Sequence, residues 1–443
     1  MIGFWPIREA VSETTTSHTE LEGSMGALSH IRVLDMSRIL AGPWAGQMLA
    51  DLGADVIKVE RPQRGDDTRS WGPPWMDVRS QERGEAAYYL CANRNKRSLA
   101  LDITSPQGQA VIRSLVADCD ILLENYKVGG LKKYGLDYDS LKEINPRLIY
   151  CSITGFGQTG PYAKRAGYDF LIQAMSGLMS ITGEKDGQPG AGPQKVGVAL
   201  TDILTGMYAS TGVLAALAAR ERMGEGQYID VALMDVQVAC LANQSMNYLV
   251  SGNSPKRLGN AHPNIVPYQS FATSDGYMIL AVGNDDQFRK FCLEAGVVHL
   301  ADDERYLTNA LRVANRETLS ATLSEVIVTR TTADWIQSLE AVSVPCGPIN
   351  TIGEAFADPQ IQARGMRLDI PHPHSAKGTM PAVANPLKLS GTPIQYDTPA
   401  PMLGEHTRNV LKEAGLSAEQ IEQLHQQGVI SEAVTSPEKA TTE

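Results

Sequence analysis

Two aspartates stand where carboxylate chemistry could be placed. Asp169 lies in Gly167-Tyr-Asp-Phe170, just before the apolar stretch Leu171 to Met179, which predicts a helix. Asp202 ends the strand-like run Val196-Gly-Val-Ala-Leu-Thr-Asp202, where the next helix is expected. A carboxylate at a helix N-terminus is kept ionised by backbone N–H groups and by the helix dipole. In a dry pocket such a group can attack an activated carbonyl. The plain alternative for both residues is a helix N-cap, a position aspartate favours.

Cations come next. Arg94, Lys96 and Arg97, in Asn93-Arg-Asn-Lys-Arg97, could hold phosphates; a solvated turn is the alternative. Arg61 and Arg64 follow an expected strand end, where ligands of open α/β sheets bind. Gly155-Phe-Gly157-Gln-Thr-Gly160 spells the dinucleotide fingerprint, but Pro161 and Tyr162 follow where an apolar helix should open. A turn that needs glycine φ angles is favoured over nicotinamide binding. No histidine pattern suits zinc, and His372 and His374 fall in a proline-rich loop. No metal site is expected, and no GxSxG elbow supports a hydrolase triad.

The elements that must position these residues follow from apolar patterning. Strands are predicted at Ile31 to Asp35, Ala54 to Glu60, Ile121 to Glu124 and Leu148 to Thr154. Helices are predicted at Ala45 to Leu52, Gln107 to Ala117 and Tyr138 to Ile144. That alternation means a parallel sheet covered on both faces. Helices Gly206 to Met223 and Asp230 to Leu249 are expected next. A smaller α+β unit follows, with a strand at Tyr277 to Val282 and helices at Gln287 to Ala295 and Thr318 to Val328. Residues 345–404 read as an extended connector, and a helix near His406 to Ala414 closes the fold. The expected division is a large domain over 26–225 completed by 405–432, a small domain over 226–335, a linker over 336–404 and a tail over 433–443. Residues 1–25 read as a disordered leader, or as an upstream start before Met25.

Composition limits the partners. The 443 residues carry 39 Lys and Arg against 50 Asp and Glu, a net charge of -11. Nucleic acid is therefore disfavoured, while a small phosphorylated ligand held by local cations is not. Val196 to Ala219, the best candidate membrane span, is interrupted by Asp202 and reads as a buried helix. The six cysteines form no CxxC pair, which suits free thiols in a reducing, cytoplasmic setting.

Taken in order, several stretches carry a family likeness: Arg32-Val-Leu-Asp35, Ala41-Gly-Pro-Trp-Ala45, Leu52 to Pro62, Gly65-Asp66, Asn95-Lys-Arg-Ser98, Glu124-Asn-Tyr126, Gly155-Phe-Gly157, Val196 to Gly206, Val344 to Pro348 and Leu403-Gly-Glu-His406. The set resembles the family III (CaiB/BaiF) CoA-transferases over about residues 26–430. It looks most like the branch that moves CoA from succinyl-CoA to short dicarboxylates such as glutarate or hydroxymethylglutarate.

The resemblance implies a Rossmann-like large domain, an interlocked homodimer, and CoA thioesters as substrates with no permanently bound cofactor. It makes Asp202 the nucleophile, passing through a mixed anhydride and an aspartyl-CoA thioester. Asp169 either supports the anhydride or caps its helix. Ile39, Arg61, Leu101, Asn125, Tyr126 and Lys133 match CoA contacts, while Thr104 replaces a family lysine. Arg38 and Arg165 are candidates, by charge, for a distal carboxylate of the acid. The alternative within the family, an α-methylacyl-CoA racemase, uses a His–Asp pair; here Tyr168 takes the His position, and an ordinary phenol, with a pKa of about 10, is a poor base at neutral pH.

Overall fold

A computed structural model describes residues 26–79, 84–396 and 398–433. The expected leader and all but the first residue of the expected tail lie outside the described residues. The strands are β1 (Arg32–Asp35), β2 (Asp55–Glu60), β3 (Lys96–Leu101), β4 (Ile121–Glu124), β5 (Ile149–Thr154), β6 (Tyr228–Ala232), β7 (Tyr268–Ala272), β8 (Tyr277–Ala281), β9 (Cys346–Pro348), β10 (Arg367–Pro371), β11 (Thr379–Val383) and β12 (Ile430–Ser431).

The large sheet has the order β12-β3-β2-β1-β4-β5-β6, parallel except for β12. Its inner strands β1, β2, β4 and β5 are buried on both faces and read as largely apolar runs. In β4, Ile121 and Leu123 join one core layer and Leu122 the other, following the two-residue period of a strand. One layer is built with α1 (Ala41–Asp51). The other holds α2 (Pro106–Ala117), which starts cleanly because Ser105 Oγ accepts the Gly108 N–H at 3.0 Å and Pro106 opens the first turn. Next come α3 (Asp169–Met175), α4 (Leu200–Met223) and α5 (Leu233–Ala239). A separate core gathers Phe271, Met278, Phe288, Leu323 and Trp335 around the antiparallel sheet β7-β8-β9. The result is a mixed α/β protein with a parallel-dominated large sheet and a small antiparallel one.

Several expectations change. The stretch Asp230 to Leu249 is not one helix: its start is β6, paired with β5, followed by α5 and a helix over Ala242–Ser251. β6 belongs to the large sheet, so a boundary at 225 cuts through that unit. The charged Lys96 and Arg97 open β3, not a turn. The run Val196 to Asp202 is not a strand, because α4 already starts at Leu200. Residues 345–404 contain the hairpin β10-β11 and two short helices. Helix α4 is long and apolar enough, by length and composition, to cross a membrane. Only about a third of it is buried: Thr205, Ala209 and Val213 face the core, and Met207, Tyr208 and Leu214 are exposed.

Candidate active site

The strand order reverses between β1 and β4, and ligands of such sheets bind at the carboxyl ends of the strands at that switch point. There the loop after β1 and the loop after β4 are tied together by one side chain. Asn125 Oδ1 accepts the Arg38 N–H at 2.9 Å, and Asn125 Nδ2 donates to the Arg38 carbonyl at 2.7 Å. The next residue, Ile39, has φ +73°, a costly conformation for a β-branched residue. Its N–H points at the buried Asp66 carboxylate, which in turn takes the Lys58 ammonium at 2.9 Å. The Lys58 charge, with hydrogen bonds from Thr68, holds Asp66 at about 2 despite burial. A cleft of about 790 Å³ opens above these loops.

Asp202 lines the cleft. It is the third residue of α4, not its N-cap. The cap is supplied from elsewhere: Asp169 Oδ1 accepts the N–H of Thr201 at 2.8 Å and that of Asp202 at 3.4 Å. Gln173 holds the other Asp169 oxygen at 2.7 Å and accepts the Val196 N–H. So Asp169, the first residue of α3, caps the helix of Asp202 and not its own. The backbone donors expected to keep Asp202 ionised go to Asp169. The Asp202 carboxyl accepts no hydrogen bond among the described residues, and burial, with the Asp169 charge beside it, pushes it up to about 7. A carboxylate so poorly solvated is more basic, hence more nucleophilic, than an ordinary one.

Helix α4 reaches the cleft because Gly206 allows it. A Cβ there would sit 2.7 Å from the Ala41 carbonyl, so only glycine lets α4 cross the first turn of α1 this closely. Asp202 lies one turn earlier on the same face of α4. A second close approach, Gly155 against Gly167, docks residues 163–168 beside the end of β5.

Of the expected residues, Arg38, Ile39, Arg61, Asn125, Tyr126, Lys133, Arg165 and Asp202 line the cleft, as do Thr104 and Tyr168. Leu101 lines a small adjoining recess with Arg61 and Tyr126. Arg38 and Arg61 share Asp67, at 2.8 and 3.1 Å. Lys127 and Lys164 join the lining and were not singled out in the sequence, although Lys127 follows the strand-end pair Asn125-Tyr126. Trp71 forms another part of the wall and packs edge-on against Tyr88. Tyr88 is pushed up to about 12, by burial first and then by Asp202.

Arg94, Lys96 and Arg97 do not reach the cleft. Arg94 makes a buried two-pronged pair with Asp51, at 2.9 and 2.6 Å, and donates to the Val383 carbonyl. Lys96 is fully buried against Asp35, Pro43 and Asn93. Arg97 pairs with Asp55 and Glu413. These charges are neutralised inside the fold, so they are structural. The glycine-rich stretch is likewise structural: Gly157 and Gly160 take φ +85° and +84°, and no helix opens until Asp169. No group of three metal-ligating side chains occurs among the described residues.

Residues 28–407 match the model of CoA-transferase family III. The chain belongs to that family. It is 55% identical over 396 residues to a succinate–glutarate CoA-transferase of Agrobacterium fabrum, covering 89% of this chain and 97% of that one. It is 45% identical to the succinyl-CoA:glutarate CoA-transferase of Mus musculus, covering 93% and 92%. A solved CaiB/BaiF family protein from Brucella suis superposes with a TM-score of 0.78 at 52% identity, covering 88% of this chain and all of that one. A family III CoA-transferase works on CoA thioesters and carboxylates.

Proposed function

We propose that the chain transfers CoA from succinyl-CoA to glutarate or a similar short dicarboxylate, with Asp202 as the nucleophile. An Asp202 oxygen attacks the thioester carbonyl; the C–S bond breaks, leaving a succinyl–aspartyl anhydride and CoA thiolate. The thiolate attacks the Asp202 acyl carbon and releases succinate, forming an aspartyl-CoA thioester. Glutarate then attacks that carbon, and the displaced thiolate attacks the glutaryl carbonyl, giving glutaryl-CoA and free Asp202. No proton is gained or lost, so no general acid is required. Covalent catalysis keeps CoA on the enzyme as an activated aspartyl thioester, open to attack by a carboxylate that is otherwise too weak a nucleophile.

The observation that carries this reading is the bare, raised carboxyl of Asp202 inside the cationic cleft of a chain 45 to 55% identical to succinate–glutarate CoA-transferases. Asp169 acts by taking the helix donors and holding Asp202 in place. Arg61, Lys127 and Lys133 serve the CoA phosphates. We also propose a homodimer: Phe170, Val198, Met207, Tyr208, Leu249 and Val250 leave apolar surface exposed on neighbouring elements. Free thiols throughout suit a cytoplasmic enzyme. The test mixes purified protein with succinyl-CoA and glutarate and follows products by mass spectrometry. Glutaryl-CoA formed by wild type and not by Asp202→Ala supports the reading. Absence of transfer with any dicarboxylate, or transfer by Asp202→Ala at the wild-type rate, overturns it.

A further inference from the structure

The cations that line the cleft are not equivalent. Arg38 and Arg61 are both engaged by Asp67. Lys127 and Lys133 follow β4, the strand beside β5, and line the same cleft. Arg165 stands in that segment, three residues before Tyr168 and four before Asp169, the residue that caps the helix of Asp202. Among the described residues it has no carboxylate partner. Its guanidinium lies instead over two aromatic rings, 4.5 Å from the centre of Tyr162 and 5.2 Å from that of Phe156. These rings pack edge-on against each other at 5.6 Å. The guanidinium's one hydrogen bond among the described residues is a long one, from Nη2 to the Met175 Sδ at 3.9 Å, a weak acceptor, so most of its donors remain available. A planar cation held by aromatic faces loses little freedom when a ligand arrives. Its hydrogen-bonding edge matches a carboxylate with two parallel N–H···O bonds, which an ammonium cannot do.

We infer that Arg165, and not Arg38, receives the distal carboxylate of the dicarboxylate acid, and so sets the preference for diacids over monoacids. This rests on the dicarboxylate reading above. The Arg38 guanidinium is already neutralised by Asp67, whereas Arg165 has no carboxylate partner among the described residues and lines the cleft in the segment that leads into the nucleophile's cap. The subsite serves both half-reactions, because succinyl and glutaryl groups each carry a free carboxylate at the far end.

The test compares glutarate with pentanoate, an acid of the same chain length lacking the second carboxylate, with saturating succinyl-CoA as donor. In a double-displacement cycle, kcat/KM for the acceptor reports only its attack on the loaded enzyme. Wild type should favour glutarate. Arg165→Gln should lower the glutarate-to-pentanoate ratio by about 10- to 100-fold, the range of a lost charged hydrogen bond. Arg165→Lys should fall between. Thermal unfolding verifies that both variants fold. An unchanged ratio in Arg165→Gln, or a ratio that falls only in Arg38→Gln, overturns the assignment. A wild type that takes both acids equally overturns the subsite while leaving CoA transfer intact. A wild type that transfers CoA to neither acid overturns the dicarboxylate reading, and the subsite with it.

Discussion

Two cationic stretches look alike as sequence and behave in opposite ways. Asn93 to Arg97 and Lys164-Arg165 are both short runs of positive charge next to loops. In the first, acids claim every cation: Asp51 takes Arg94, Asp35 takes Lys96, and Asp55 with Glu413 takes Arg97. In the second, neither cation pairs with a carboxylate among the described residues, and both line a cleft. Cations that the fold pairs with acids in its interior are withdrawn from ligands, whereas those left along the cleft are not. The partners that silence the first run come from α1, β1, β2 and the C-terminal helix Thr407–Glu413, which only the folded chain brings together. The first run has a different task. Arg94 and Asn95 bind the Val383 and Gln395 carbonyls and so fasten the chain's long return segment to the large sheet.

The largest expected difference between the two runs is in stability. Arg94→Ala leaves Asp51 buried without its countercharge and should destabilise the fold by about 3–5 kcal/mol, read as a shift in the urea midpoint. Lys133→Ala and Lys164→Ala should change stability by less than about 0.5 kcal/mol. Each should instead raise KM for succinyl-CoA by about 3- to 10-fold, and wild-type KM should rise with salt. A stable Arg94→Ala with weakened CoA binding would reverse the comparison.

A further expectation concerns pH. Asp202 titrates at about 7 in the fold against an ordinary 3.8. Turnover should therefore fall as pH drops through about 7, because the nucleophile becomes protonated. Stability runs the other way. Ionising Asp202 costs more in the fold than in the open chain, so wild type should lose stability relative to Asp202→Asn as pH rises from about 4 to 7. Paired melting curves at pH 5 and pH 8 check the sign. Asp169→Ala removes both the neighbouring charge and the competitor for helix donors, so it should move the acid limb of the rate profile to lower pH. Loss of the cap should cost about 1 kcal/mol. The smallest construction to probe is Gly206→Ala. Its Cβ meets the Ala41 carbonyl, so it should push α4 off α1 and lower kcat more than it raises KM.

Much of the large sheet was legible because its strands are short apolar runs stopped by polar or glycine residues. Val33-Leu34, Val56-Ile57 and Ile121-Leu122-Leu123 are of this kind. β3 was hidden because its first two residues are Lys96 and Arg97, whose charges are compensated by residues remote in sequence. Asp202 was legible as a candidate nucleophile; that it does not cap its helix was not, because the true cap, Asp169, precedes it by more than thirty positions. β6 was absorbed into a helix because Tyr228 to Ala232 joins Leu233–Ala239 without a turn residue between them. The strand-end loops that form the cleft followed from periodicity, and most of its individual lining residues from the family resemblance. Which cations stay free did not, since that depends on tertiary neighbours.

The most direct test of the account asks where the covalent link forms. Protein incubated with succinyl-CoA alone is treated with hydroxylamine, which converts an aspartyl thioester or anhydride into a hydroxamate, and its peptides are sequenced by mass spectrometry. The account predicts a hydroxamate at Asp202 and none in Asp202→Asn. A hydroxamate at Asp169, or CoA transfer that proceeds with Asp202 unmodified, would contradict it.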